Sequence, residues 1–132
     1  MSSYNATVST SRRLATLVDG IVYVDEMQAT DIQLVQEAFR GQTFVDGDTT
    51  PDVSTGFVFQ TANTAATSIT GFDNALYDGH AITVFFSDGN TTLVNSASLS
   101  LQGGMDITPS AGDVLVFITW GGVWYGWIAR TT

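Results

Sequence analysis

Apolar and polar residues alternate along much of residues 57–130, and glycine, asparagine or aspartate separates one apolar run from the next. This two-residue period is typical of strands that bury one face. The pattern predicts seven strands, at residues 57–60, 68–72, 81–86, 92–94, 98–101, 114–119 and 123–129. Short strands with frequent turns indicate an antiparallel β-sandwich or a small barrel-like module. We expect each strand to turn its second face toward solvent or a neighbouring subunit.

The N-terminal residues follow a different pattern. Residues 1–16 are rich in serine and threonine and predict an arm that does not order by itself, and residues 20–24 predict a short strand. In residues 30–40 the period changes to that of a helix. The apolar face of this helix carries Ile32, Val35 and Phe39. The expected fold class is therefore mainly β with one short N-terminal helix.

Glycine, proline and aspartate interrupt both patterns at residues 46–56. Such a composition predicts an exposed loop or linker. It divides the chain into an arm, strand and helix at residues 1–45 and a β-rich module at residues 57–132.

Three aspartates of this loop, Asp46, Asp48 and Asp52, carry oxygen ligands at a short spacing. Calcium prefers such ligands. The glycine and the bidentate glutamate of a helix-loop-helix calcium site are missing from the pattern. A cation site and a solvated acidic loop both remain open.

The net charge of the chain argues against two classes of binding partner. Thirteen carboxylates face four cations, all of them arginine, so the net charge is −9. Binding to nucleic acid or to an anionic membrane requires a positive surface, and we expect neither partner. The chain has no cysteine, which excludes disulfides and thiolate-bound zinc. Its apolar runs are too short for a transmembrane helix.

Residues able to catalyse a reaction are few. His80 is the only histidine, and Ser87 and Asp88 are near it only in sequence, so a turn-flanking role is expected rather than a catalytic triad. Glycoside hydrolysis needs two carboxylates that flank the bond. Glu26 and Glu37 are the only glutamates, and most aspartates lie in turns, where they bond to the backbone. We expect no enzymatic activity and no cofactor.

Aromatic residues crowd the last two predicted strands, at Trp120, Trp124, Tyr125 and Trp127. Strand alternation places Tyr125 and Trp127 on one face and Trp124 on the other, so they cannot all enter one core. Exposed aromatic side chains fill a subunit interface or stack on sugar rings. The pattern leaves both roles open.

A family resemblance covers about residues 57–130. The segments that carry it are residues 59–72, 78–93, 101–104 and 112–117, with the closing Trp124, Tyr125 and Arg130. These segments resemble the β-rich modules of fibre and spike proteins of tailed bacteriophages.

The resemblance implies a non-enzymatic structural protein of the virion, assembled as a homotrimer and in contact with other capsid or tail proteins. The chain is shorter than most fibres, which favours a capsid decoration protein, a head fibre or a small tail-fibre appendage. Residues 1–45, with the helix face of Ile32, Val35 and Phe39, then form an anchor for a displayed module at residues 57–132. The alternative is a receptor-binding adhesin that recognises host-surface glycan through exposed aromatic residues.

Overall fold

The computed structural model describes residues 16–18, 21–23 and 40–132. The chain divides into two compact units, Met1–Glu37 and Ala38–Thr132. Among the described residues, no helix has the length and hydrophobicity needed to cross a membrane.

The described part of the first unit is a hairpin. Strand β1 (Thr16–Val18) pairs antiparallel with β2 (Ile21–Tyr23). β2 confirms the strand predicted at residues 20–24, whereas no strand was expected at β1. The predicted helix, with Ile32, Val35 and Phe39, lies outside the described residues except for its last position.

Eight strands form the regular β-structure of residues 40–132. They are β3 (Gln42–Thr43), β4 (Val58–Gln60), β5 (Thr67–Ile69), β6 (Ala81–Phe85), β7 (Thr91–Leu93), β8 (Leu99–Leu101), β9 (Val114–Trp120) and β10 (Val123–Arg130). All seven strands predicted for residues 57–130 are present, with differences only at their ends. β3 has two residues, too few to show a period. A turn of 3₁₀ helix, Gln102–Gly104, follows β8.

The strands pair in a mixed arrangement. Six of them form a sheet in the order β3-β4-β6-β9-β10-β8, and β5 pairs parallel with β7 in a separate ladder. The β6-β9 and β9-β10 pairs are antiparallel, whereas β3-β4, β4-β6 and β8-β10 are parallel.

The mainly β, sandwich-like fold is thus confirmed, but its pairing is mixed rather than antiparallel throughout. Alternation determines which face of a strand is buried, and it carries no information on the direction of the neighbouring strand. The chain leaves the sheet after β4, forms β5 and returns at β6, a connection long enough for a parallel crossover. In the described part of the chain the sheet is open, with β3 and β8 at its edges.

The core lies on one side of this sheet, which we call the inner face. Its buried side chains come from every second position of the strands: Phe59, Ile82, Val84, Leu99, Leu101, Leu115, Phe117 and Trp124. The β5-β7 ladder adds Ile69 and Leu93 to the same cluster, and the connecting segments add Phe44, Val53, Phe72 and Phe86. The two layers together bury enough apolar side chains to form one continuous core.

Residues 46–56, predicted to be an exposed loop or linker, contain no helix or strand but are fixed to this core. Val53 is fully buried. Its backbone N–H donates to the Asp73 carbonyl at 3.0 Å, and the Asp73 N–H donates to the Pro51 carbonyl at 2.9 Å. The apolar Val53 anchors the loop, so the segment belongs to the second unit and does not space two domains.

Candidate interaction surface

The side of the six-stranded sheet opposite the core, which we call the outer face, follows from the same alternation. In β9 the buried Leu115 and Phe117 alternate with the partly exposed Val116 and Ile118. Cross-strand pairing places the outward residues of β4, β6 and β10 beside them. The outer face consists of Val58, Gln60, Ala81, Thr83, Phe85, Val114, Val116, Ile118, Trp120, Val123, Tyr125 and Trp127.

Four aromatic side chains of the outer face are exposed. Phe85 is 48% exposed, Trp120 65%, Tyr125 44% and Trp127 40%. Large aromatic side chains each present about 150–250 Å², so these fractions leave roughly 400 Å² of aromatic surface in solvent. The aromatic rings alone therefore reach the range of about 300–600 Å² that is typical of the largest apolar patch on a monomer. The valines and Ile118 enlarge the patch further.

None of the twelve residues of the outer face is charged. Arg130 borders the outer face at its Val114 end, because strand pairing places it opposite Val114 beyond an irregularity of β10. The net charge of −9 is therefore carried elsewhere on the chain. A face without charge is the part of an acidic protein where a second copy meets the least electrostatic repulsion.

Trp124, one of the four aromatic residues singled out from the sequence, belongs to the core. It is 4% exposed, and its ring packs edge-on against Phe72 and His80, with centroids 5.3 and 5.9 Å away. Tyr125 and Trp127 lie on the opposite side of β10, as alternation predicts. Of the four aromatic residues, Trp124 therefore belongs to the core, and Trp120, Tyr125 and Trp127 belong to the outer face.

An open groove of about 310 Å³ lies at the β3-β4 end of the outer face. The outward side chains of Val58, Gln60 and Phe85 line it, together with Gly41 and Gln42. A Cβ atom built at Gly41 would have only Val58 within 4 Å, at 3.9 Å, so the glycine leaves space there. Sequence analysis did not identify this groove or Phe85. The adjacent Phe85 and Phe86 were the available signal, because alternation forces one of two neighbouring phenylalanines outward.

His80 supports the fold from the core. It is fully buried, its Nδ1 accepts a hydrogen bond from the Leu76 N–H at 3.1 Å, and its Nε2 lies 2.9 Å from the Gly56 carbonyl oxygen. Because Nδ1 accepts, the proton resides on Nε2 and is donated to Gly56. Both nitrogens thus bond to backbone groups, and the structure brings neither Ser87 nor Asp88 to them.

The three aspartates considered as cation ligands each accept hydrogen bonds from a different residue nearby. Asp46 accepts from the N–H and hydroxyl of Thr64, at 3.0 and 2.7 Å. Asp48 and Asp52 each accept from the N–H two residues ahead, at 2.9 and 2.8 Å. Hydrogen bonds from Thr64 hold the pKa of Asp46 below its ordinary value, and hydrogen bonds from Ser54 do the same for the pKa of Asp52. The described residues contain no group of three or more metal-binding side chains.

Two other aspartates join distant parts of the chain. Asp113 accepts from the N–H groups of Ser110 and Thr132, at 2.8 and 2.7 Å, and these bonds lower its pKa. Burial raises the pKa of Asp88, but its hydrogen bonds outweigh that effect and the pKa is lowered. The donors to Asp88 are Thr61, Asn63, Asn90 and Thr91. These carboxylates therefore stabilise turns in their charged form, while Glu26 and Glu37 lie outside the described residues.

Comparison with known proteins adds no relative. No family model, no curated protein and no solved structure matches the chain. The function is therefore inferred from the residues and the geometry alone.

Proposed function

We propose that the protein is a non-enzymatic structural protein of a bacteriophage virion that assembles as a homotrimer. It is a capsid decoration protein, a head fibre or a small tail-fibre appendage, and it contacts other virion proteins of the capsid or tail. Residues 1–45 attach it to the particle, and residues 57–132 form the displayed module. The resemblance of residues 57–130 to β-rich fibre and spike modules supports the virion setting.

The main support for the proposed assembly is the outer face. It joins exposed aromatic rings and partly exposed valines in one uncharged surface across β4, β6, β9 and β10. Stable protein interfaces bury about 800 Å² per partner and are rich in Tyr, Trp and Phe. With roughly 400 Å² from four aromatic rings, the outer face supplies a large share of that area. Copies that cover this face remove it from water and stabilise a domain of modest size.

Sedimentation velocity of the purified protein tests the assembly. A species with three times the mass of the chain is expected, and a monomer at every concentration would overturn the proposal. Met105→Ala is the matched control, because Met105 is 72% exposed but lies outside the outer face. It should leave the mass unchanged.

Immunogold electron microscopy tests the virion setting. Antibodies raised against the protein are expected to label intact phage particles. Label found only on soluble material released from infected cells would contradict that setting, even if the protein is a trimer.

One observation favours the alternative of an adhesin that recognises host-surface glycan. Trp120 is the most exposed aromatic residue in the part of the chain that the structure describes. It lies at the β9-β10 turn, where the Gly121 N–H donates to Asp78 at 3.1 Å and the neighbouring Tyr77 is 56% exposed. An exposed indole beside a carboxylate is able to stack on a sugar ring and accept from its hydroxyl groups. In a Trp120→Ala variant, loss of cell or glycan binding with the trimer intact would favour the adhesin. Retained binding would exclude Trp120 from that role.

A further inference from the structure

We infer that the trimer contact places Trp127 of one copy in the groove beside Gly41 and Val58 of the next copy. This inference rests on the proposed homotrimer and specifies which parts of the outer face meet. Trp127 projects from β10, and the groove lies at the β3-β4 end of the same face. In a ring of three copies, each interface joins two different patches and is therefore heterologous.

Strand pairing places the two patches in one row across the sheet. Val58 pairs with Thr83, Thr83 pairs with Val116, and Val116 pairs with Trp127. β4 and β10 are three strand spacings apart, which is roughly 14 Å. Trp127 is therefore too far away to occupy the groove of its own copy.

The shared row is compatible with a closed ring. A heterologous contact closes into a ring when rotation alone relates the copies, and it grows into a helical filament when a translation is added. For a rotation axis along the strands, the two patches must lie at the same height. Val58 and Trp127 meet this condition, because the pairing places them in one row.

Size and chemistry also fit. The groove measures about 310 Å³ and is open to solvent, so it has room for one aromatic side chain. Val58 and Phe85 offer apolar contact, and Gln60 adds a polar side chain beside them. No charged residue lines it. A neighbouring copy therefore finds an uncharged groove in an otherwise acidic protein.

Two variants remove the two halves of the contact. Trp127→Ala deletes the projecting ring. Gly41→Leu fills the groove, and it is compatible with the backbone because Gly41 does not have a positive φ and its Cβ position is open. Each variant should assemble roughly tenfold or more weakly than the parent protein, as when a central interface aromatic residue is truncated.

Mixing the two variants tests the heterologous pairing directly. Trp127 of the Gly41→Leu copy can enter the intact groove of the Trp127→Ala copy, but the remaining two patches cannot pair. Native mass spectrometry at high protein concentration should therefore detect a one-to-one heterodimer. Met105→Ala, which removes an exposed side chain outside the outer face, is the matched control and should remain a trimer. Far-UV circular dichroism verifies that every variant is folded.

The outcomes separate this inference from the proposed function. A monomeric or dimeric parent protein overturns both. A trimeric parent whose folded Trp127→Ala and Gly41→Leu variants remain trimers overturns only the contact. Two monomeric variants that form no heterodimer when mixed overturn the heterologous pairing.

Discussion

Gly126 of β10 lies directly beneath the ring of Phe117, its partner on β9. A Cβ atom at Gly126 would be 2.5 Å from the ring and 3.2 Å from Leu101. Phe117 is fully buried, so its ring can move away only by displacing its neighbours in the core. Gly126→Ala should therefore destabilise the protein by about 1–3 kcal/mol, as overpacked core substitutions do.

Urea unfolding at fixed protein concentration measures this loss. Gly89→Ala is the control, since a Cβ at Gly89 meets nothing within 4 Å and the residue does not have a positive φ. An unchanged midpoint for Gly126→Ala would show that the ring of Phe117 shifts freely.

Replacement of His80 should lower stability through its hydrogen bonds as well as its packing. His80→Ala leaves the Leu76 N–H and the Gly56 carbonyl without their partner and opens a cavity beside Trp124. A loss of about 2–5 kcal/mol is expected. His80→Phe retains a ring and should recover part of it. Nitrogen NMR of the imidazole should find the proton on Nε2, and a proton on Nδ1 would contradict the assigned hydrogen bonds.

Trp124→Ala should lower the free energy of unfolding. It should not remove a binding site, because Trp124 is not on the surface. Its side chain is buried against Phe72 and His80, and the loss of a buried tryptophan costs about 3–5 kcal/mol. Trp127→Ala is the comparison, because Trp127 lies on the outer face of the same strand. Chemical unfolding in dilute solution, where copies are separate, should find a much smaller loss for Trp127→Ala. Equal losses would place both residues in the core.

The contribution of Asp113 to stability should depend on pH. Its pKa is lowered by the N–H groups of Ser110 and Thr132, so its contribution to stability is complete above the ordinary pKa of 3.8. The contribution is lost as the pH falls through the lower pKa of the folded state. Asp113→Asn should therefore reduce the thermal midpoint at pH 7, and the difference from the parent protein should shrink below pH 3.8. A difference that stays constant with pH would exclude the carboxylate as its cause.

Salt should favour assembly. The chain has a net charge of −9, and the outer face that is proposed to join copies is uncharged. Repulsion between whole copies is screened over about 30 Å at 0.01 M salt and about 8 Å at 0.15 M. Sedimentation equilibrium in increasing sodium chloride should therefore show tighter self-association. Weaker association would indicate that ion pairs hold the interface.

Much of the fold could be predicted from alternation alone. The period of two located all seven strands from β4 to β10 and placed Tyr125 and Trp127 opposite Trp124. The partners of the strands could not be predicted in this way, because a strand with one apolar face fits a parallel or an antiparallel neighbour equally well. The parallel β3-β4, β4-β6 and β8-β10 pairs depend on crossovers that only the complete fold determines.

Strand alternation also predicted part of the interaction surface. Its aromatic residues on β9 and β10 are apparent in the sequence. The groove is not, because Gly41 and Val58 are distant in sequence and come together only where β3 pairs with β4. His80 was expected beside a turn, and no local pattern indicated that its ring bonds to Gly56 across the core.

The position of β10 has a consequence for the order in which the sheet forms. Among the described strands, β8 lies at an edge of the six-stranded sheet and pairs only with β10, which follows it by more than twenty residues. On the ribosome, Leu99 and Leu101 emerge before residues 123–130 and have no strand beside them until those residues are free. The last step of sheet formation therefore waits for the C-terminal strand, and a nascent chain halted before residue 123 would expose the apolar side of β8 to aggregation.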